Sequence, residues 1–171
     1  MSLMSFLHVS MTAGCVFPLA SVPKLSYKTG GRGFGAARPF LGKQLHGACD
    51  LIAPVGTEIF AVDNGVVVNG PYYFWNHTYA IEIKHPLFIG RYCEILKDVP
   101  VKMGDYVEKG QVIAKVGQMG TYSMLHFEMF SGAAHGGLTN GKLPYKRRSD
   151  LLDPTPYLDL WKANLPKGND S

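Results

Sequence analysis

Two histidines and one aspartate are the side chains of this sequence best suited to chemistry. His46 and Asp50 stand four residues apart in Leu45-His46-Gly47-Ala48-Cys49-Asp50, and His126 lies far downstream in the strand-like run Met124-Leu125-His126-Phe127-Glu128. Two imidazole nitrogens and one carboxylate oxygen suit Zn²⁺, and three protein ligands leave a fourth tetrahedral position open. An open position separates a hydrolytic centre, where water can be activated, from a closed structural one. Strand alternation puts Met124, His126 and Glu128 on one face and Leu125, Phe127 and Met129 on the other. The apolar set is expected to enter the core, leaving His126 to line a cleft with Met124 packed in its wall. By the same alternation Tyr92 and Glu94 share a face and Cys93 turns coreward. Cys49 could replace Asp50 on spacing alone, but alternation sends it to the other face. Glu128 is expected to hold a backbone or loop group. His77, His85 and His135 have no partner spacing and read as surface or loop residues, with His135 the one to look for near the cleft.

Short strands and turns must position these groups. Thr57 to Val62 is β-branched and apolar, Asp63-Asn64-Gly65 reads as a hairpin turn, and Val66-Val67-Val68 returns. Tyr79 to Lys84 alternates, Gly90 to Leu96 reads as another strand, and Val101 to Ile113 is punctuated by glycine turns. The Gly-rich stretch from Tyr27 to Gly35 lacks the Gly-Lys-Ser/Thr ending of a phosphate loop; it reads either as a loop near the cleft or as a linker. A Gly-rich polar loop spans Gly132 to Ser149. One helix is expected near the C-terminus, with Thr155 as cap, Pro156 at the first helical position and Leu158, Trp161 and Leu165 on one face. The fold class is therefore mainly β: an antiparallel β-sheet or β-sandwich domain with a C-terminal helix. The domain reading is an N-terminal arm over 1–26, one domain over 27–166 and a fraying tail over 167–171.

Composition narrows the functional classes. At 171 residues, 46% hydrophobic and 18% charged, the chain is long enough for one sizeable core and is not disordered. A net charge of +4 favours an anionic surface such as a cell wall and is too weak to indicate nucleic-acid binding. The one basic run, Lys146-Arg147-Arg148, reads as a solvated turn. Three cysteines make no disulfide framework. One pair could close in an oxidising compartment, although Cys49 and Cys93 also read as small buried side chains. No stretch reaches the ~20 apolar residues that span a bilayer. Residues 3–20 are apolar but no basic residue precedes Lys24, so the positive region of a secretory signal is missing.

The combination of these motifs resembles the lysostaphin/LytM-type zinc metallopeptidases. The likeness rests on His46-x-x-x-Asp50, Ala53-Pro54-Val55-Gly56-Thr57, Asp63-Asn64-Gly65, Gly104-Asp105 with Val107, Lys109-Gly110-Gln111-Val112-Ile113 and Leu125-His126-Phe127-Glu128, over roughly residues 40–131. It implies a LytM-type, duplicated-hairpin-like β fold, zinc as cofactor on His46, Asp50 and His126, and cleavage of peptide bonds in the stems or cross-bridges of bacterial peptidoglycan. Two departures stand out. Where the family has His-x-His this chain has Met124, and where it has Tyr-x-His this chain has Tyr92-Cys93-Glu94. Methionine cannot take a proton; a carboxylate beside a zinc-held water can serve as general base. The expected roles are therefore Glu94 as general base, Tyr92 as oxyanion partner, and Arg38 and His135 as substrate-binding residues. Against this, Glu94 could merely be solvated or paired with Arg91 or a lysine.

Two other functions compete. Loss of both family histidines would also fit a degenerate zinc-holding domain that binds cell wall or regulates another hydrolase. The hairpins around Asn64–Val68 and Gly104–Ile113 also resemble those of biotinyl and lipoyl carrier domains, which need a modified lysine in a Met-Lys-Met or Asp-Lys-Ala tip that is missing here. A wall hydrolase without a clear secretion signal implies a phage-lysin-like or secretion-system toxin-like route to the cell wall or periplasm, with an inhibitory, immunity-type partner protein in the producer.

Overall fold

The computed structural model describes residues 1–167; the remainder of the tail read as fraying lies outside the described residues. Among the described residues nine strands and two α-helices run in the order α1 (Leu3–Met11), β1 (Cys49–Ile52), β2 (Glu58–Phe60), β3 (Gly65–Trp75), β4 (Thr78–Lys84), β5 (Ile89–Ile95), β6 (Tyr106–Val107), β7 (Val112–Lys115), β8 (Met124–Phe130), β9 (Leu151–Leu152) and α2 (Thr155–Trp161). Seven strands form one antiparallel sheet in the order β1-β8-β5-β4-β3-β6, with β9 on β8, while β2 and β7 pair as a separate two-stranded sheet. The mainly β, antiparallel architecture with a C-terminal helix is the one expected from the spacing of strands and turns. Among the described residues no helix is long and apolar enough to cross a membrane.

One face of the large sheet is the core. Leu51, Ile81, Ile83, Tyr92, Leu125, Phe127 and Met129 pack there against Ile59, Ala61, Ile113 and Ala114 of the small sheet and its flanks, and against Tyr157, Leu158 and Trp161 of α2. The period-2 pattern of β8 is obeyed, but the strand is buried on both faces, because the opposite face is covered by loops that carry the site. The residues read as an N-terminal arm do not stand apart: Cys15, Phe17 and Leu19 are in the core, His8 Nδ1 meets the Tyr157 hydroxyl at 2.6 Å and Trp161 Nε1 donates to Thr12 Oγ1 at 3.0 Å.

Three local expectations change. Asp63-Asn64-Gly65 is not a hairpin turn, since β2 pairs with β7 and β3 with β4 and β6. The segment instead carries the chain from the small sheet to the large one, and the Asn64 carbonyl accepts from His85 Nδ1 at 2.9 Å. In α2 the residue before the helix is Pro154, with Thr155 its first residue; Asp153 Oδ1 caps it by accepting from the Thr155 N–H at 2.8 Å, and Leu165 lies beyond the helix, exposed. The three cysteines are free and buried.

Candidate metal centre and active site

β1 and β8 are neighbours, and their register sets Asp50 directly opposite His126. His46 enters from the segment just before β1. His126 Nδ1 lies 2.8 Å from Asp50 Oδ1, His46 Nε2 3.1 Å from the same oxygen, and the two imidazoles approach at 3.2 Å between His46 Nε2 and His126 Nδ1. Three donors about 2.0–2.2 Å from one zinc ion in a tetrahedral arrangement would sit about 3.3–3.6 Å apart, so the observed triangle needs to open by only a few tenths of an ångström to take one.

The outer hydrogen bonds fix which nitrogens face inward. His46 Nδ1 lies 2.9 Å from the Gly33 carbonyl, which can only accept. Burial lowers the pKa of His46, so the neutral ring leaves its Nε2 lone pair pointing at an Asp50 oxygen 3.1 Å away. Two acceptors that close need a proton or a cation between them. His126 Nε2 donates to Glu128 Oε1 at 2.9 Å, which aims Nδ1 at the same point. Burial opposes charge on His126, yet the Asp50 and Glu128 carboxylates outweigh it and keep the imidazole protonated up to about 10. A binding cation must displace that Nδ1 proton, so its affinity falls with acidity. Asp50 itself is held well below the usual carboxylate range, its burial overcome above all by the hydrogen bond from His126 Nδ1. His46, Asp50 and His126 thus fit zinc by geometry, tautomer and donor type.

Glu128 anchors this arrangement from below. Its carboxylate is fully buried and takes Arg91 Nε at 2.8 Å and Nη2 at 2.6 Å on one oxygen, and Arg147 Nε and Nη2, both at 2.8 Å, on the other. The sequence reading missed that Glu128 orients the His126 ring, although its place two residues after His126, on the same face, is the signal that could have found it. The basic run Lys146-Arg147-Arg148 is likewise not a solvated turn: Arg147 clamps Glu128, Arg148 is buried on Asp150 with Nε–Oδ1 at 2.6 Å, and Lys146 lines the cleft.

Glu94 and Tyr92 part company. Between the pairs Tyr79↔Ile95 and Ala80↔Cys93, β5 carries one residue more than β4, and the extra residue is Glu94. It sits in this bulge with φ 64°, the left-handed region that costs a non-glycine residue energy. With Tyr92 in the core, alternation turns Cys93 to the face of His126, its partner in the register, rather than coreward as expected, and the bulge then breaks alternation and sends Glu94 to that side too, into the cleft. Tyr92 points into the core, where its hydroxyl accepts from the Val62 N–H at 3.1 Å and meets His85 Nε2 at 3.0 Å. The shared face expected for Tyr92 and Glu94 is therefore corrected, and Tyr92 is not brought to the site. Glu94 Oε1 lies 3.9 Å from His126 Nδ1, and Oε2 is buried with no partner among the described residues. Burial raises its carboxyl pKa to about 7, a penalty that a nearby cation would relieve.

These groups open into a cleft of about 990 Å³. Tyr72, Tyr73, Phe74 and Trp75 of β3 form one wall, with Phe74 5.6 Å from the His126 ring, ring centre to ring centre. Met124 and Arg38 also line it, and Arg38 Nη2 is 3.6 Å from Asp50 Oδ2. The Gly-rich stretch after Tyr27 borders the same cleft through Gly31 and holds His46 through Gly33. His135 is exposed and faces a separate depression beside Tyr145 and Arg148, so the structure does not bring it to the centre.

Comparison with known proteins agrees with this geometry. The model of "Peptidase family M23" matches residues 44–137. The peptidoglycan DD-endopeptidase ShyC of Vibrio cholerae is 34% identical over 102 residues, which cover 58% of this chain and 23% of that protein, so the chain spans about a quarter of that relative. The antimicrobial peptidase lysostaphin from Staphylococcus simulans superposes with a TM-score of 0.64 at 23% identity, covering 91% of this chain and 58% of that one. LytU superposes with a TM-score of 0.56 at 27% identity, covering 79% and 89%. With the family match extending over more than half of its length and enclosing His46, Asp50, Glu94 and His126, this chain belongs to peptidase family M23.

Proposed function

We propose that the protein is a zinc-dependent endopeptidase that hydrolyses peptide bonds of bacterial peptidoglycan and acts at the cell wall. The observation that carries this reading is the convergence of two imidazole nitrogens and one carboxylate oxygen, all within 3.2 Å of one another, beside a buried carboxylate oxygen that has no partner among the described residues. The kinship with a peptidoglycan DD-endopeptidase supplies the substrate class. A zinc ion on His46, Asp50 and His126 would polarise the scissile carbonyl and acidify a water in its remaining position.

The chain's own residues do the rest. The Gly33 carbonyl and the Glu128 carboxylate hold the His46 and His126 rings with their inner nitrogens aimed at one point, so metal binding costs His126 its Nδ1 proton but needs no rotation of either ring. Glu94, standing on its bulge within 3.9 Å of His126, takes the proton of the attacking water and returns it to the leaving amine, which keeps the proton count balanced. Met124 lines the cleft without titrating. Arg38, a quarter exposed beside Asp50, contacts the peptide as it enters along the β3 wall. Tyr92 has no place in this scheme, because its hydroxyl is committed in the core.

The test is release of new amino groups from purified peptidoglycan, with zinc content measured in parallel and with and without a chelator. Wild-type protein is expected to carry one zinc and to lose activity on chelation. Glu94→Gln should retain its zinc and lose turnover by about a hundredfold or more. Stoichiometric zinc with no release from any wall type would favour a wall-binding or hydrolase-regulating domain instead.

A further inference from the structure

Four basic side chains line the cleft, Arg38, Arg91, Lys146 and Arg147, and they are not equivalent. Arg91 and Arg147 are committed to Glu128 by two contacts each. Arg91 also donates to Thr139 Oγ1 at 2.8 Å and is 2% exposed. Arg38 spends Nη1 on the Gly31 carbonyl at 2.7 Å and has only the long 3.6 Å approach to Asp50. Among the described residues, Lys146 has no acidic oxygen within 4 Å and its ammonium has no hydrogen-bond partner.

The position of Lys146 is built rather than casual. Its backbone is in the left-handed region at φ 53°. Its N–H donates to the Lys142 carbonyl at 2.8 Å, and its own carbonyl accepts from the Asn140 N–H at 3.1 Å and from Arg147 Nη1 at 3.2 Å. The same loop is tied to the metal-binding segment, because the Leu45 N–H donates to the Pro144 carbonyl at 2.7 Å. The charge balance then has a sign. Glu128 is outweighed by its two guanidiniums, and Asp50 and Glu94 belong to the metal centre, so the surplus positive charge of the cleft rests on Lys146 and Arg38. The aromatic wall opposite lowers the local dielectric and strengthens their field.

We infer that Lys146, assisted by Arg38, forms an anion subsite that takes a free carboxylate of the bound peptide, so that the cleft selects acidic stem peptides over neutral glycine cross-bridges. This rests on the reading of the cleft as a wall-peptide site. Stem peptides carry free carboxylates and a glycine bridge carries none along its length, so an unpaired ammonium separates the two classes by a charge-assisted hydrogen bond.

Calorimetric binding tests it without requiring turnover. The zinc-loaded protein is titrated with two synthetic muropeptides that differ only in whether the diaminopimelate carboxylate is free or amidated, and with a glycine pentapeptide amidated at its C-terminus. The free acid is expected to bind about tenfold tighter than the amide, the worth of one such contact. Lys146→Asn tolerates the left-handed backbone while removing the charge, and should bring the two within twofold; Lys146→Arg should keep the preference. Equal binding of acid and amide by the wild type, binding of neither, or a preference that survives Lys146→Asn overturns the subsite. A preference that behaves as expected in a protein that releases no amines from peptidoglycan leaves the subsite standing and removes the peptidase reading.

Discussion

Glu128 touches no substrate, yet the electrostatics of the centre depend on it. A fully buried carboxylate is tolerable here because two guanidiniums and an imidazole, of Arg91, Arg147 and His126, surround it and donate three hydrogen bonds to it; burial would raise its pKa, and Arg91 foremost among its partners drives it well below the usual range instead. Glu128→Gln keeps the size and loses the charge. Two guanidiniums would then share a buried site without a counterion, which costs about 3–5 kcal/mol. His126 would also lose the acceptor that fixes its tautomer, and the loss of such an outer partner weakens metal binding by about 10–100-fold. Urea unfolding and competition with a chromophoric chelator measure the two effects. Zinc affinity equal to wild type would show that the His126 ring does not depend on Glu128 for its orientation. The contrast with Glu94→Gln, expected to keep zinc and lose turnover, would separate a positioning carboxylate from a catalytic one. His46, Asp50 and His126 were legible in the sequence because metal ligation restricts residue type and strand alternation restricts direction. The partners of Glu128 were not, since Arg147 lies nineteen residues away on a loop and nothing local names it.

At the scale of elements, the decisive feature is an irregularity. Strand alternation places Glu94 with Tyr92, and in a regular β5 it would lie in the core. The bulge turns it into the cleft, and Gly117 holds the bulge: its N–H donates to the Glu94 carbonyl at 2.8 Å. A Cβ on Gly117 would stand 2.8 Å from that carbonyl oxygen and 2.9 Å from the carbonyl carbon of Ile95, both backbone atoms that cannot swing aside. Gly117→Ala should therefore shift the Glu94 backbone. Misplacing a catalytic group by about 1 Å costs on the order of a hundredfold in rate, while zinc content should not change because no ligand moves. Gly141→Ala, where a Cβ meets nothing within 4 Å, is the control and should be neutral. Equal kcat for the two variants would show that the bulge does not depend on this contact. The antiparallel sheet and the terminal helix could be read from periodicity. The bulge could not, because β5 is buried on both faces and offers no polar–apolar rhythm to interrupt. The Asp63-Asn64-Gly65 turn was misassigned for a related reason: local turn chemistry does not say which strand becomes the partner.

At the scale of the whole molecule, the two sheets are joined by a polar seam through an apolar core. His85 Nδ1 donates to the Asn64 carbonyl at 2.9 Å, the Tyr92 hydroxyl lies 3.0 Å from Nε2, and that hydroxyl accepts from the Val62 N–H at 3.1 Å. The chain leaving β2, the turn after β4 and the middle of β5 are thus tied at one point, with Phe88 against the imidazole at 5.0 Å between ring centres. This arrangement requires a neutral ring, since Nε2 must accept from Tyr92. Burial drives the His85 pKa down to about 4, only partly offset by the Asn64 carbonyl and the charge of Asp63. In the unfolded chain the ring titrates near its ordinary value of about 6.5. Between those values the unfolded state binds the proton and the folded state does not, so stability is full above about pH 6.5 and falls as the solution is acidified toward pH 4. A difference of about 2.5 pH units corresponds to about 3 kcal/mol. His85→Gln can still donate to Asn64 and accept from Tyr92 but does not titrate. Denaturant unfolding in the presence of chelator, which removes metal linkage, should give wild type a steeper loss of stability over this window than the variant, the two curves converging by about 3 kcal/mol from pH 7 to pH 4. Parallel curves would mean that His85 accepts its proton while folded, and that the seam between the sheets survives with a charge inside it.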